Sequence, residues 1–331
     1  MNLMWIAFSQ RGLELARRLA RSMGGEVSRG GQEVSLEEWT ARAFRQARGL
    51  VFVGAAGIAV RAIAPHVTSK TADPAVVAVD EGGRWAIPLL SGHLGGANDL
   101  ARQIAALCGG QAAITTATDL RGLFAVDEWA RRQNCRVGNP EKIKEVSARL
   151  LAGEPVYFCS DWPIRGQPPQ GLVPARDEVC HLWVTVYRRE GDCLFLIPRS
   201  VALGVGCRKG ISREELEDTF SLLLERTGLW EQAFDLVCSV DLKKEEPGLL
   251  DFCREHGLPL ETYSPQQLGQ VRGVYSPSAF VARTVGVDNV CERSAVLGSG
   301  GSLIQGKLIG NGVTMAAALS PFAPDWRWQY G

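Results

Sequence analysis

The chain has 331 residues, and its 36 Lys plus Arg are balanced by 36 Asp plus Glu, which gives a formal net charge of zero. That length predicts more than one domain. Basic residues do not outnumber acidic residues, which argues against a nucleic-acid binder, because such a protein needs excess positive charge to displace counterions from phosphates. A hydrophobic share of 46% excludes a disordered chain.

Nine cysteines without a C-x-x-C pair suit a reducing compartment better than a disulfide scaffold. The amino terminus, Met1–Gln10, lacks the basic region of a signal peptide. The longest uncharged stretch, between Lys307 and Asp325, is interrupted by glycines and prolines and does not suit a membrane span. We therefore expect a cytoplasmic protein with no membrane and no nucleic-acid partner.

The first third of the sequence alternates apolar runs with amphipathic stretches, as α/β domains do. Leu50–Val53 is apolar at every position, as expected for a strand buried on both faces of a parallel sheet. A hairpin is predicted across Glu81–Gly83. The predicted strands are Leu3–Phe8, Leu50–Val53, Val76–Val79, Trp85–Leu90 and Ala112–Thr116; the predicted helices are Leu13–Met23, Leu36–Ala47, a short one through Arg61 and one ending at Cys108.

The middle of the chain is rich in proline and predicts short strands, and the last third returns to the α/β alternation. Ser212 and Glu215 have the spacing of a capping box, which fixes the start of one helix. The middle strands are predicted at Val156–Cys159, His181–Tyr187 and Cys193–Ile197. The later strands are Val201–Val205 and Asp235–Val240, with Gly206–Gly210 as a loop, and the later helices are Ser212–Thr227, Leu249–His256 and Cys291–Leu297. An apolar segment, Val313–Leu319, closes the domain.

These patterns predict an α/β protein with two three-layer α/β modules of mainly parallel sheets, joined by a small β-rich middle segment. We place the amino-terminal α/β domain at residues 1–134, the middle domain or linker at 135–200, and the carboxy-terminal α/β domain at 201–331.

Three glycine-rich loops follow predicted strands, and such loops present backbone N–H groups and a helix dipole to an anion. The first contains Gly54, Ala55, Ala56 and Gly57 and is followed by Arg61; the second runs from Ser91 to Asp99; the third contains Gly204, Gly206, Cys207, Arg208, Lys209 and Gly210. In an open parallel sheet these loops meet at the carboxyl ends of the strands. Alternatively, each one only permits a tight corner.

His93 is the candidate general base, because imidazole titrates near neutral pH and Asp99 follows at the start of a helix, where it could orient the ring. In the alternative reading, His93 bonds within its own loop and Asp99 caps the helix. Cys207, between Gly206 and Arg208, is a weaker candidate for a thiolate nucleophile.

The third loop also approaches the dinucleotide fingerprint G-x-G-x-x-G, with one residue too many before its last glycine. A dinucleotide-dependent oxidoreductase therefore stays open as an alternative, with Asp241 in place of the ribose-binding acid.

Several long blocks resemble the cobalt-precorrin-5A hydrolase family of anaerobic cobalamin biosynthesis. Its amino-terminal domain is matched by V-G-A-A-G-I-A-V-R-A-I-A-P at 53–65, D-P-A-V-V-A-V-D-E-G-G at 73–83, S-G-H-L-G-G-A-N-D-L-A at 91–101 and T-T-A-T-D at 115–119. Its carboxy-terminal domain is matched by G-V-G-C-R-K-G at 204–210, D-L-K-K-E-E-P-G-L at 241–249 and V-C-E-R-S-A at 290–295.

The resemblance implies a hydrolase that opens the ring A δ-lactone of a cobalt corrinoid and releases the C20 two-carbon fragment as acetaldehyde. It makes His93, Asp99 and Asp119 the expected catalytic residues. The expected substrate-binding residues are those of the first and third loops together with Ser91, Gly92, Gly95, Gly96, Asn98, Thr115 and Thr116. No metal site and no cofactor are expected, since cobalt belongs to the substrate.

The expected partner is the cobalt corrinoid, and both a homodimer and hand-over of substrate from neighbouring pathway enzymes stay open. A non-catalytic carrier of a carboxylated tetrapyrrole, with the same anion-binding loops and no working base, is the main alternative function.

Overall fold

The computed structural model describes residues 2–69, 72–92, 95–115, 122–175, 179–273 and 275–327. Within these ranges the chain forms three mainly parallel β-sheets covered by eleven helices, which confirms the predicted α/β class. None of the described helices is long and apolar enough to cross a lipid bilayer.

The first sheet has six strands in the order β2-β1-β3-β4-β5-β6. Every residue of β1, β3 and β4 is buried, as the apolar runs predicted. The short polar strand β2 was not predicted, because its four residues carry no apolar alternation. The strands are β1 Leu3–Ala7, β2 Glu26–Arg29, β3 Gly49–Val53, β4 Ala75–Val79, β5 Trp85–Leu90 and β6 Gln111–Ala112, and the helices are α1 Gln10–Met23, α2 Leu36–Gln46, α3 Ala56–Ile63 and α4 Ala97–Cys108.

The direction of β5 determines the end of the first sheet at which the loop after β5 begins. β4 and β5 form the predicted hairpin and are antiparallel, with Val76 opposite Leu90. β6 is parallel to β5. β5 therefore ends at the amino end of the first sheet, which we define as the side where β1, β3 and β4 begin. The two-residue strand β6 pairs with Trp85 and Ala86 at the start of β5 and lies at the opposite end.

The second sheet has five strands in the order β7-β11-β10-β8-β9. Its strands are β7 Cys135–Val137, β8 Val156–Ser160, β9 Leu172–Pro174, β10 Leu182–Val184 and β11 Leu194–Pro198. Two helices in this part of the chain were not predicted from the sequence: α5 Val126–Arg132, which precedes β7, and α6 Ile143–Ala152, which connects β7 to β8. Trp326, close to the end of the chain, packs against Trp129 and Phe158 in the core of this sheet.

The third sheet has the order β14-β13-β12-β16-β15. Its strands are β12 Val201–Cys207, β13 Phe234–Val240, β14 Leu260–Tyr263, β15 Ser302–Ile309 and β16 Val313–Leu319, and its helices are α7 Arg213–Thr227, α8 Pro247–Glu255, α9 Pro265–Gln270, α10 Ala279–Val285 and α11 Cys291–Ser299. The capping box of Ser212 and Glu215 is present at the start of α7.

One hydrophobic cluster runs through the second and third sheets, since Phe195 and Ile197 of β11 pack in the same core as Leu203 and Phe220. The first sheet has separate clusters on its two faces. The domain boundaries at 134/135 and 200/201 stay predictions.

Candidate functional site

The loop that contains His93 is anchored on both sides of that residue. Ser91 has a positive φ of 55°, and its hydroxyl donates to the carbonyl of Asp73 at 2.9 Å. The N–H groups of Ala97 and Asn98 donate to the carbonyls of Ser91 and Gly92. His93 itself lies outside the described residues, so its role as general base stays a prediction. The described residues on its two sides are hydrogen-bonded to each other ahead of α4.

Glycine is required in this turn at two positions. A Cβ on Gly95 would overlap Ser91, and Gly96 has a φ of 85°, which disfavours other residues. Gly96 is also the N-cap of α4, and no side chain caps this helix. The alternative reading in which Asp99 caps the helix is therefore wrong.

Asp99 is a buried ion-pair partner. Its side chain is 2% exposed, and its carboxylate pairs with Arg131 of α5 and with Arg102 of α4, whose Nη1 lies 3.1 Å from Oδ1. Arg132 lies 3.9 Å from the same carboxylate. Asp99 thus joins a helix of the first sheet to the helix that leads into the second. Its predicted support of His93 is not tested, because His93 is not described.

Glu128 extends this charged cluster. It lies in the first turn of α5 with its side chain 1% exposed, and Oε1 is 3.8 Å from Nη1 of Arg102. Arg102, Glu128 and Arg131 were not predicted from the sequence. For Glu128 and Arg131 the only signal was an acidic first turn and a basic last turn in the short helix α5, which is ordinary helix-dipole patterning.

β6 lies beside the start of β5 and runs in the same direction. Ala113 donates its N–H to Ala86 at 2.9 Å, which continues the parallel pairing with β5. Thr115 follows as an exposed residue. The described contacts do not place Thr115 beside Ser91, so its role in substrate binding stays a prediction. Thr116 and Asp119 lie outside the described residues, and their roles stay predictions.

The first glycine loop lies at the opposite end of this sheet. Gly54 donates its N–H to Val79, the last residue of β4, at 2.8 Å, whereas Ser91 bonds to Asp73 ahead of β4. One strand length, about 13 Å, separates the two places. The expectation that these loops meet is wrong, because β5 runs against β3 and β4. Gly54, Ala55, Ala56, Gly57 and Arg61 thus form a separate surface, with Gly57 and Arg61 exposed.

In the third loop, the first two glycines serve packing. Gly204 and Gly206 lie within β12, so the prediction of a loop from Gly206 onward is wrong for Gly206 and Cys207. A Cβ on Gly204 would overlap the carbonyl of Cys291 in α11, and one on Gly206 would come within 2.7 Å of Thr314 Oγ1. These glycines permit the close approach of α11 and β16.

The rest of the third loop binds the protein's own carboxylates. Gly210 donates its N–H to Glu246 Oε1 at 2.8 Å, and Arg208 Nη2 lies 2.6 Å from Glu215 Oε1. Burial opposes ionisation of Glu246, but hydrogen bonds from Lys243 and Gly210 outweigh it and lower its pKa. Gly204 and Gly206 are therefore not part of an open anion-binding loop. Arg208, Lys209 and Gly210 are exposed, and their role in substrate binding stays a prediction.

The structure also argues against two other roles considered for the third loop, a thiolate nucleophile at Cys207 and a dinucleotide-binding fingerprint. Burial raises the pKa of Cys207 to about 11, so this thiol is protonated at neutral pH and is no thiolate nucleophile. A dinucleotide fingerprint needs its glycines in the turn between strand and helix, and Gly204 and Gly206 lie inside the strand instead.

The blocks at 241–249 and 290–295 contain structural anchors. Lys243 and Glu246 form a buried pair at 2.8 Å. The carboxylate of Glu292, 3% exposed, accepts the N–H groups of Ser276 and Lys307. Among the described residues, no group of three or more His, Cys, Asp or Glu side chains is placed to hold a metal ion.

Three family models match consecutive parts of the chain. They are Cobalamin synthesis G N-terminal at residues 38–119, Cobalamin biosynthesis central region at 124–198 and Cobalamin synthesis G C-terminus at 201–318. The chain is 35% identical over 297 residues to the cobalt-precorrin-5A hydrolase of Salmonella typhimurium, covering 85% of each protein. It is 29% identical over 356 residues to that of Priestia megaterium, covering 96% of this chain and 94% of the relative.

Two solved structures are also similar. A cobalamin biosynthesis protein G homolog from Sulfolobus solfataricus is 24% identical, with a TM-score of 0.42 and 97% of each chain covered. CobE, a protein of the cobalamin biosynthetic pathway, is 28% identical, with a TM-score of 0.35, and the match covers 37% of this chain and 91% of CobE.

Proposed function

The chain belongs to the cobalt-precorrin-5A hydrolase family of cobalamin biosynthesis, and from this premise we propose that it opens the ring A δ-lactone of a cobalt corrinoid and releases acetaldehyde. The observation that carries the proposal is the 35% identity to the Salmonella typhimurium hydrolase over 85% of both proteins. The three family models, which follow one another in order along residues 38–318, support it.

The first proposed step is hydrolysis of the lactone. His93 removes a proton from water, and the oxygen attacks the lactone carbonyl. The acyl C–O bond then breaks, which leaves a carboxylate on the ring A acetate and a hydroxyl on the C20 fragment. The N–H groups of Gly95 and Gly96 are the proposed donors to the tetrahedral oxyanion, and one such donor is worth about 3–4 kcal/mol.

The second proposed step breaks a carbon–carbon bond. The hydroxyl on the C20 fragment loses its proton, its oxygen forms a carbonyl, and the bond between this carbon and the macrocycle breaks. The electron pair of that bond passes into the cobalt-bearing macrocycle, and acetaldehyde leaves. Because the substrate supplies this electron sink, the protein needs only general acid–base assistance, worth about 100- to 10,000-fold in rate.

The anchored turn around His93 supports this assignment. Ser91 and Asp73 fix one side of the turn, and Gly96 with α4 fixes the other. The buried carboxylate of Asp99 pairs with Arg131 and holds α4 against α5. We propose Asp119, in the loop after Thr115, as the group that orients the imidazole, and Asp99 as a residue that positions the turn.

The test is acetaldehyde formation from cobalt-precorrin-5A by the purified protein, measured by trapping the aldehyde. We expect His93→Ala to lower the rate about 100- to 10,000-fold, because the water then lacks its base. His66→Ala is the matched control, since His66 lies beyond α3 and contacts Phe44, and we expect it to keep the wild-type rate. A His93→Ala protein that opens the lactone at the wild-type rate would refute the base assignment.

The same assay separates the enzyme from a carrier of a carboxylated tetrapyrrole. A carrier binds the corrinoid and releases no aldehyde. Saturable binding without acetaldehyde, under conditions where the Salmonella typhimurium relative forms it, would favour the carrier.

A further inference from the structure

Three arginines from distant parts of the chain lie near one another, and we call them the arginine junction: Arg48, Arg136 and Arg199. Arg48 immediately precedes β3, Arg136 lies in β7, and Arg199 joins β11 to β12. Arg136 is paired with Ile197 across the antiparallel β7–β11 ladder, and Arg199 donates its N–H to the carbonyl of Asn134 at 3.0 Å. The backbone therefore places Arg136 and Arg199 as close cross-strand neighbours.

The junction carries more positive than negative charge. Arg199 pairs with Asp235, with Nη2 3.1 Å from Oδ1. Within the described residues, the side chains of Arg48 and Arg136 have no ion pair, and both residues are exposed. Burial and then the charges of Arg199 and Arg48 lower the pKa of Arg136, and Asp235 only partly offsets this. Guanidinium groups that face each other without a counterion repel, and an anionic ligand between them would remove that cost.

The junction borders the turn that carries His93. The carbonyl of Arg48 accepts the N–H of Ala75 at 3.1 Å. Asp73, two residues before Ala75, accepts the hydroxyl of Ser91. Arg48 therefore lies at the amino end of the first sheet, on the same side as the turn from Ser91 to Gly96. Arg48 is thus at the proposed catalytic end of the sheet, and Arg136 is close enough for the charges of the two residues to interact. Arg61 follows the glycine loop at the opposite end.

We propose that the arginine junction binds peripheral carboxylates of a polycarboxylated tetrapyrrole. This inference rests on the proposed function for the substrate class. The sequence had suggested Arg61, Arg208 and Lys209 for the anion-binding role. The inference assigns that role to the arginine junction instead. Guanidinium groups suit it because each can hold a carboxylate through two parallel hydrogen bonds. Three of them on one side of the protein would orient the macrocycle with its rim toward the turn.

The test is a binding titration with uroporphyrin, a tetrapyrrole with eight carboxylates that has neither cobalt nor a lactone, followed by its fluorescence. We expect Arg136→Met and Arg48→Met each to raise the dissociation constant about tenfold, because each removes a charge-assisted hydrogen-bond donor. The double variant should lose more, and Arg136→Lys, which keeps the charge, should lose less. Arg17→Met is the matched control, since Arg17 is exposed on α1, and it should bind within about twofold of wild type.

The salt dependence is a second readout, because each lost contact to a carboxylate should make binding less sensitive to ionic strength. Wild-type affinity of Arg48→Met and Arg136→Met for uroporphyrin would overturn the inference, whether or not the protein forms acetaldehyde. Weakened binding of these two variants beside an unaffected Arg17→Met would support it, even if no acetaldehyde were formed and the proposed function failed.

Discussion

His256 is held between two carboxylates at the carboxyl end of α8. Its Nδ1 lies 2.7 Å from Glu231 Oε1, its Nε2 lies 3.0 Å from Glu217 Oε2, and the ring packs on Phe220 and Phe252. Burial disfavours the charged ring, but the hydrogen bonds that the ring donates to the two glutamates outweigh burial and raise the pKa of His256 above its usual value. The folded protein therefore favours the imidazolium more than the unfolded chain does.

This raised pKa predicts a pH-dependent contribution to stability. A group whose pKa is higher in the folded than in the unfolded state stabilises the fold fully below its unfolded pKa and loses that contribution as the pH rises through the folded pKa. We expect His256→Gln to lower the free energy of unfolding by about 1–2 kcal/mol more at about pH 6 than at about pH 9. Urea unfolding at both values measures this difference.

His66→Gln is the control for this measurement, because His66 forms no ion pair within the described part of the chain. Its effect on unfolding should be similar at both pH values. A His256→Gln protein with the same loss at both pH values would contradict the ion-pair account.

Gly96 and Gly204 show that a glycine-rich motif does not by itself identify an anion-binding site. Both residues belong to sequence segments that were predicted to be anion-binding loops. Gly96 has a positive φ and precedes the first turn of α4, as an anion-binding loop requires. Gly204 must be glycine for a different reason, because a side chain there would overlap α11, which packs closely on β12. The sequence cannot separate the two reasons, since the contact with Cys291 comes from a residue 87 positions away in the chain.

At the scale of elements, the contact between α4 and α5 depends on the buried carboxylate of Asp99. Arg102 and Arg131 approach it from two helices, and its side chain is 2% exposed. Removal of one partner from a buried ion pair leaves the remaining charges without compensation, which typically costs about 3–5 kcal/mol. Asp99 is therefore expected to act on the fold as well as on the turn that it supports.

We expect Asp99→Asn to lower the free energy of unfolding by about 3–5 kcal/mol. Asp251→Asn is the matched control, because the pair of Asp251 with Arg254 is exposed and should contribute no more than about 0.5 kcal/mol. Chemical denaturation of both variants measures the difference. Unchanged unfolding of Asp99→Asn together with a lost acetaldehyde rate would instead assign Asp99 to the reaction itself.

Elements with strong local signals could be predicted from the sequence, and the arrangement of their ends could not. The apolar run of β3 and the capping box of α7 are local, and both predictions are confirmed. The hairpin at Glu81–Gly83 was also predicted, but its consequence was missed: it reverses β5 and carries the turn of His93 away from Gly54. Helix α5 has only seven residues, and its three apolar positions, Val126, Trp129 and Ala130, are too few for periodicity to identify a helix.

At the scale of the whole molecule, a net charge of zero conceals a local separation of charge. Arg208 and Gly210 have partners in the chain's own Glu215 and Glu246, which offset part of the positive charge at this end of the third sheet. Arg48 and Arg136 have no such partner within the described residues. Composition argues against a nucleic-acid binder, but only the fold brings residues 48, 136 and 199 together and shows where positive charge exceeds negative charge.

The most direct measurement of the central claim is the fate of solvent oxygen in the reaction. Cobalt-precorrin-5A is incubated with the protein in water enriched in oxygen-18, and the corrinoid product and the aldehyde are analysed by mass spectrometry. We expect one labelled oxygen in the ring A acetate carboxylate and one acetaldehyde per product, because water attacks the lactone carbonyl and the acyl C–O bond breaks. A product without label in that carboxylate, or a consumed lactone without acetaldehyde, would contradict the account.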